Sequence, residues 1–131
     1  MGIGGVITSN GKNLYLDGIS ARAFTVPSLF KVGTGTNTPL ASDTDLQTPV
    51  IIAGGVYTKA FAVGYPVVSA ALINITTRCL LASTDANGNV LTEFGIVNTD
   101  GSPVLYSHDT FTAITKNNTI QVVFEQIDAF S

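Results

Sequence analysis

His108 is the only histidine in this 131-residue chain, and it stands in the run Ser107-His108-Asp109-Thr110. A serine, an imidazole and a carboxylate are the parts of a hydrolase. In extended backbone, however, consecutive side chains alternate between faces, so these neighbours cannot converge on one another. No Gly-x-Ser-x-Gly elbow supplies a remote nucleophile, and His108 reads as a turn or strand-start residue. Asp43 and Asp45 flank Thr44 with the spacing of Ca²⁺ ligands, but the glycine and terminal glutamate of an EF-hand do not follow. Aspartates in such positions more often cap their own turns, as expected also for Asp85 and Asp100. Glu93, Glu125 and Asp128 are too few and too separate to nominate an acid–base pair. Gly33-Thr34-Gly35-Thr36 lacks the lysine and helix of a phosphate loop and reads as a glycine turn. The single cysteine, Cys79, sits in Arg78-Cys79-Leu80-Leu81 and reads as a buried, inert thiol. One cysteine and one histidine also fall short of a common zinc site. The expectation is a protein with no catalytic, cofactor-binding or metal-binding residues, and not an enzyme.

The elements that would position these residues are strands. Val, Ile, Thr, Phe and Tyr recur in short runs cut by Gly, Asn, Asp and Pro. The spacing predicts strands at 5–9 and 13–19 joined by the Asn10-Gly11 turn, then at 28–32, 49–53 and 56–63. A long stretch follows at 67–83, and further strands at 89–97, 104–107, 111–114 and 119–127. Asn87-Gly88, Asp100-Gly101 and Lys116-Asn117-Asn118-Thr119 supply the reversals between the last strands. No sustained helical stripe is visible, and the best helical candidate is a single turn near Ser42–Gln47. This pattern predicts an all-β antiparallel sandwich or barrel-like, jelly-roll-like module, forming a single domain over 1–131. Residues 1–8 read as a possible N-terminal arm, and the Gly/Thr/Pro segment 33–48 as a surface strap able to lie across a neighbour. Phe24, Phe30, Phe61, Phe94, Phe111 and Phe124 are assigned to the core.

Composition sets the class of function. Apolar residues make up 45% of the chain and charged residues 11%, against about 25% charged in an ordinary soluble domain. Mean hydropathy is +0.37. A surface with so little charge must be covered by Thr, Ser, Asn and Gly, or by other subunits. The six cationic residues, Lys12, Arg22, Lys31, Lys59, Arg78 and Lys116, are scattered singly, which excludes the clustered cations of a nucleic-acid surface. No run reaches the length of a membrane span, and the N-terminal stretch lacks the basic start and apolar core of an export signal.

Two stretches carry a resemblance. Phe30-Lys31-Val32-Gly33-Thr34-Gly35, a Thr/Pro segment and Asp43-Thr44-Asp45-Leu46 resemble an opening common in small structural proteins of tailed bacteriophages. Leu91-Thr92-Glu93-Phe94-Gly95-Ile96-Val97-Asn98-Thr99-Asp100-Gly101, with Val104-Leu105-Tyr106-Ser107 and Phe111, is similar to a region of phage tail-fibre and collar proteins. The two occur in matching order over roughly half of the chain. The resemblance implies a virion component assembled in the host cytoplasm, either a capsid decoration (cement) protein or a collar or tail-attachment piece. Its partners would be copies of itself, a trimer being favoured, and other phage proteins, without nucleic acid, membrane or cofactor. It carries over no catalytic residue. Ile3, Val6, Thr34, Thr36, Pro39, Leu40, Leu46, Tyr57, Tyr65 and Tyr106 are the candidate interface residues. An alternative is a tail-fibre or receptor- or glycan-binding head, in which Tyr57, Tyr65 or Tyr106 would flank a shallow pocket.

Overall fold

The computed structural model describes all residues except 1, 4, 5, 21–24, 100, 130 and 131. Phe24, assigned above to the core, and Asp100, assigned to a turn, therefore lie outside the described residues. The chain is an all-β sandwich with one short helix. Its elements in order are β1 (Gly2–Ile3), β2 (Val6–Ile7), α1 (Ser9–Ile19), β3 (Leu29–Gly33), β4 (Lys59–Ala60), β5 (Val67–Ser69), β6 (Asn74–Leu81), β7 (Val90–Val97), β8 (Leu105–Thr115) and β9 (Val122–Ala129). One sheet runs β1-β9-β6-β5 and the other β2-β8-β7-β3-β4. Every pairing is antiparallel except β1 on β9. The N-terminal residues expected to form an arm thus add a short strand to each sheet of their own chain.

The core follows from period-two alternation, interrupted on β7 by an irregularity between Leu91 and Glu93. On β7, Leu91, Phe94 and Ile96 are buried, as are Phe30 and Val32 on β3, and they meet Cys79, Leu81 and Phe124 of the other sheet. Phe94 stacks on Phe124 across the sandwich at 4.8 Å between centroids and lies 6.0 Å from Phe30. Ring pairs of this kind add about 0.5–1.5 kcal/mol each beyond the area they bury. Phe61 and Phe111 are only partly buried and pack against this cluster.

The expected hairpin over 5–19 is instead helix α1. Thr8 is its N-cap, accepting the Gly11 N–H at 2.9 Å through its hydroxyl, while that hydroxyl donates to the Leu105 carbonyl. Gly11 is needed because a Cβ there would strike the backbone of Tyr106. The helix was hidden because Asn10, Gly11, Asn13 and Gly18 are poor helix formers, and Leu14 and Leu16 imitate a strand's alternation. Only Leu14 of the two is buried. Ser42–Gln47 contains no helical turn. The strand expected at 49–53 is reduced to the bridges Gly33–Pro49 and Ala53–Val56, and that at 56–63 to the two residues of β4. The long 67–83 stretch is broken by a turn at 70–73, where Ile73 has φ of 50°. The two strands expected at 104–107 and 111–114 are one, β8.

Strand β7 is buried along almost all its length on both faces. One face meets the core. The other is covered by residues 34–48, which fold back over the five-stranded sheet.

Candidate functional site

Alternation on β7 turns Phe94 inward and therefore turns Glu93 outward, beneath the returning segment. Glu93 is 1% exposed, and a bare carboxylate at that depth would be costly. Its oxygens are fully occupied. Oε2 accepts the N–H groups of Gly35 at 2.8 Å and Thr48 at 2.7 Å. Oε1 accepts the Gln47 N–H at 2.9 Å and faces His108 Nε2 at 2.9 Å. The other ring nitrogen, Nδ1, lies 2.7 Å from Asp43 Oδ2, which also accepts the Leu40 N–H at 2.8 Å. His108 is buried. Burial works to raise the Asp43 pKa, but the Leu40 N–H and His108 outweigh it and hold the carboxyl below its ordinary value.

Beside this chain of contacts, Lys31 of β3 reaches Asp45 at 2.6 Å, and the Asp45 carboxylate accepts the Leu46 N–H. Gln47 Oε1 accepts the N–H groups of Thr36 and Asn37. Leu46 is 4% exposed and packs over Gly95, where a Cβ would come within 2.7 Å of its Cδ2. The strap is thus fastened to its own sheet by Glu93, His108 and Lys31.

This arrangement clamps backbone. The Glu93 lone pairs are committed to N–H donors, and Asp43 and Glu93 address opposite edges of one ring, so they share no point where a metal could sit. No group of three or more potential ligands fit for a metal occurs among the described residues. Ser107 faces the other way, between the sheets, 3.3 Å from Gln126 Oε1. Asp109 bonds the adjacent Thr110 N–H, and burial raises its pKa. Ser107, His108 and Asp109 therefore diverge, as strand geometry requires. The Asp43–His108–Glu93 contact was not visible in sequence because its members come from a loop and two strands. A lone glutamate inside the apolar run 90–97, with the sole histidine in the next strand, was the available signal.

The other candidate residues scatter. Ile3 lies in β1. Val6 is 37% exposed on β2, and Leu40 is 57% exposed. Thr36 is exposed, and Thr34 and Pro39 are half-buried. Leu46 is spent inside its own chain and presents nothing to a neighbour. Tyr57 is exposed beside a shallow depression of about 550 Å³ bordered by Thr84, Asn87 and Asn89. The amides of those asparagines are already bound to the Ser83 and Ala86 carbonyls. Tyr65 lies under the Arg78 guanidinium at 4.7 Å. Tyr106 borders a groove, and burial, aided by Asp128 and Tyr15, pushes its pKa up to about 12.

That groove, of about 720 Å³, opens between α1, the segment at 26–28, β5 and the turn after it. Asp128 is the sole charged side chain among its described lining residues, and burial raises its pKa against the pull of Gln126. Val68 and Ile73, 71% and 60% exposed, form part of the wall, and Leu72, next to Ile73 in the chain, is 71% exposed.

Cys79 is buried, and burial drives its thiol pKa upward. Lys116 is also buried, its ammonium held by Asn87 Oδ1 at 2.8 Å and the Asn117 carbonyl at 3.1 Å. It ties the 83–89 turn to the one at 116–119. No family model, characterised protein or solved structure matches the chain.

Proposed function

We propose that this protein is a non-enzymatic structural subunit of a tailed-phage virion, a capsid decoration piece or a collar or tail-attachment piece that works by burying surface against other chains. The observation that carries the reading is the apolar end of the sandwich around β5. Val68, Leu72 and Ile73 are exposed there beside an apolar groove. β5 is also an outer strand of its sheet, so one row of its backbone groups is free for pairing. Isolated exposed hydrophobics are ordinary, but contiguous ones at an open sheet edge mark contact sites or aggregation hazards. The phage assignment itself rests on the resemblance of residues 30–46 and 91–111.

Light scattering of the purified chain is the first test. The expected mass is a small multiple of 13.6 kDa, with Val68→Asp shifting the protein to the monomer while the circular dichroism of the β-fold is kept. A monomer at every accessible concentration, with no affinity for assembled particles, overturns the assembly reading. Detection of the chain by mass spectrometry in washed particles tests the virion assignment.

A receptor- or glycan-binding head is the second reading, favoured by the exposed Tyr57 beside the depression at Asn87 and Asn89. It requires saturable binding to cells or glycans that Tyr57→Ala removes.

A further inference from the structure

Asp43 and Glu93 address opposite nitrogens of the same imidazole, at 2.7 and 2.9 Å. An ionised carboxylate only accepts, and an imidazole offers two N–H donors only when it carries both protons. The backbone donors around the two carboxylates favour the ring as the seat of the second proton. Both Glu93 oxygens already accept backbone N–H groups from Gly35, Gln47 and Thr48, and the same Asp43 oxygen that faces the ring accepts the Leu40 N–H. A proton on the oxygen that faces the ring would weaken the backbone N–H bond which that oxygen accepts. The ring is therefore the keystone between β8, β7 and the strap, and it is buried where a lost hydrogen bond is not replaced by water.

We infer that residues 34–48 form a pH-gated latch over the five-stranded sheet, closed while the His108 ring holds both protons and loosened when it loses one. A neutral ring turns a lone pair toward one of the two carboxylate oxygens, so an attractive contact becomes a repulsive one. The Asp43 side is the weaker joint, since Glu93 keeps its three backbone donors. The other charges nearby are accounted for. Lys31 stands in the same row across Gly95 on β3 and is paired with Asp45. Asp109 follows His108 on β8, and β2 offers opposite His108 only the uncharged Val6. Opening would uncover Leu46 and the Gly95 surface, a face that the closed strap withholds. The inference is independent of whether the chain assembles in a virion.

The ¹⁵N-labelled full-length protein tests it by NMR. With the latch closed, both His108 ring nitrogens should carry the imidazolium signature. As pH rises and the ring titrates, strap amide exchange, corrected for intrinsic base catalysis, should increase at least ~10-fold, while amides of the β6–β9 pairing stay unchanged. His108→Gln should raise strap exchange at all pH values and abolish the step. A neutral ring in the closed state overturns the inference. So does a ring that titrates without moving the strap, or a persisting step in His108→Gln. Should that variant fail to fold, the titration of the unmodified chain decides alone.

Discussion

The strap-covered face and the β5 end of the sandwich solve the same problem in opposite ways. Both are sheet surfaces that the two-layer core leaves uncovered. On the first, Glu93, His108, Asp43 and the Lys31–Asp45 pair fasten a loop of the same chain, so that β7 is buried on both faces. At the second, Val68, Leu72 and Ile73 stay in contact with solvent, and Asp128 is the sole charge among the described groove lining. The difference teaches where scarce charge goes in this molecule. Lys31, Lys59 and Arg78 are paired with Asp45, Asp85 and Glu125, and Lys116 is buried on neutral oxygens. Lys31, Lys59 and Lys116 thus fasten loops and turns of their own chain, and the apolar end is left bare.

The comparison breaks most readily at Glu93. Glu93→Gln keeps the shape but replaces one acceptor oxygen with a donor amide facing N–H groups, and should cost about 3–5 kcal/mol in urea unfolding. A loss below ~1 kcal/mol would mean that the strap is not fastened there. Next is Gly95→Ala. Its methyl group would meet Leu46 at 2.7 Å and Leu105 at 3.0 Å, and overpacking of this kind costs about 1–3 kcal/mol. Leu46→Ala in the same chain should recover part of that loss.

The smallest effect separates the regions by sign. Asp43 has a lowered folded pKa, so its stabilisation is present above the unfolded value of about 3.9 and fades as pH falls through the folded one. Asp128 has a raised folded pKa, so its ionised form opposes folding, and that penalty disappears as pH falls from above the folded value to below the unfolded one. At pH 7, Asp43→Asn should lower stability by about 1 kcal/mol, and Asp128→Asn should raise it by less. Equal signs in thermal unfolding would show that the two carboxylates do not differ as described.

Particular residues show how far the sequence could be read. Phe30, Phe94 and Phe124 announced the core because large aromatic side chains inside short apolar runs are the ones a sandwich must bury. Residues 33–48 read as a surface strap, because no strand pattern runs through them. Its destination was not legible. The exposed-looking Leu46 and the separate Asp43, Glu93 and His108 meet only after β7 and β8 pair Gly95 with His108 and the loop turns back. Helix α1 was misread because its stability comes from the Thr8 cap and from Leu14 packing, contacts that local propensity does not contain.

The sequence by itself determined a two-layer β protein with few charges and one long loop, since alternation, turn chemistry and composition are local properties. The tertiary structure alone decided that the loop closes on its own sheet, that the sole histidine is clasped by two carboxylates, and that the bare apolar surface lies at β5. Those outcomes depend on register and chain return, which bring together residues as far apart as 43 and 108.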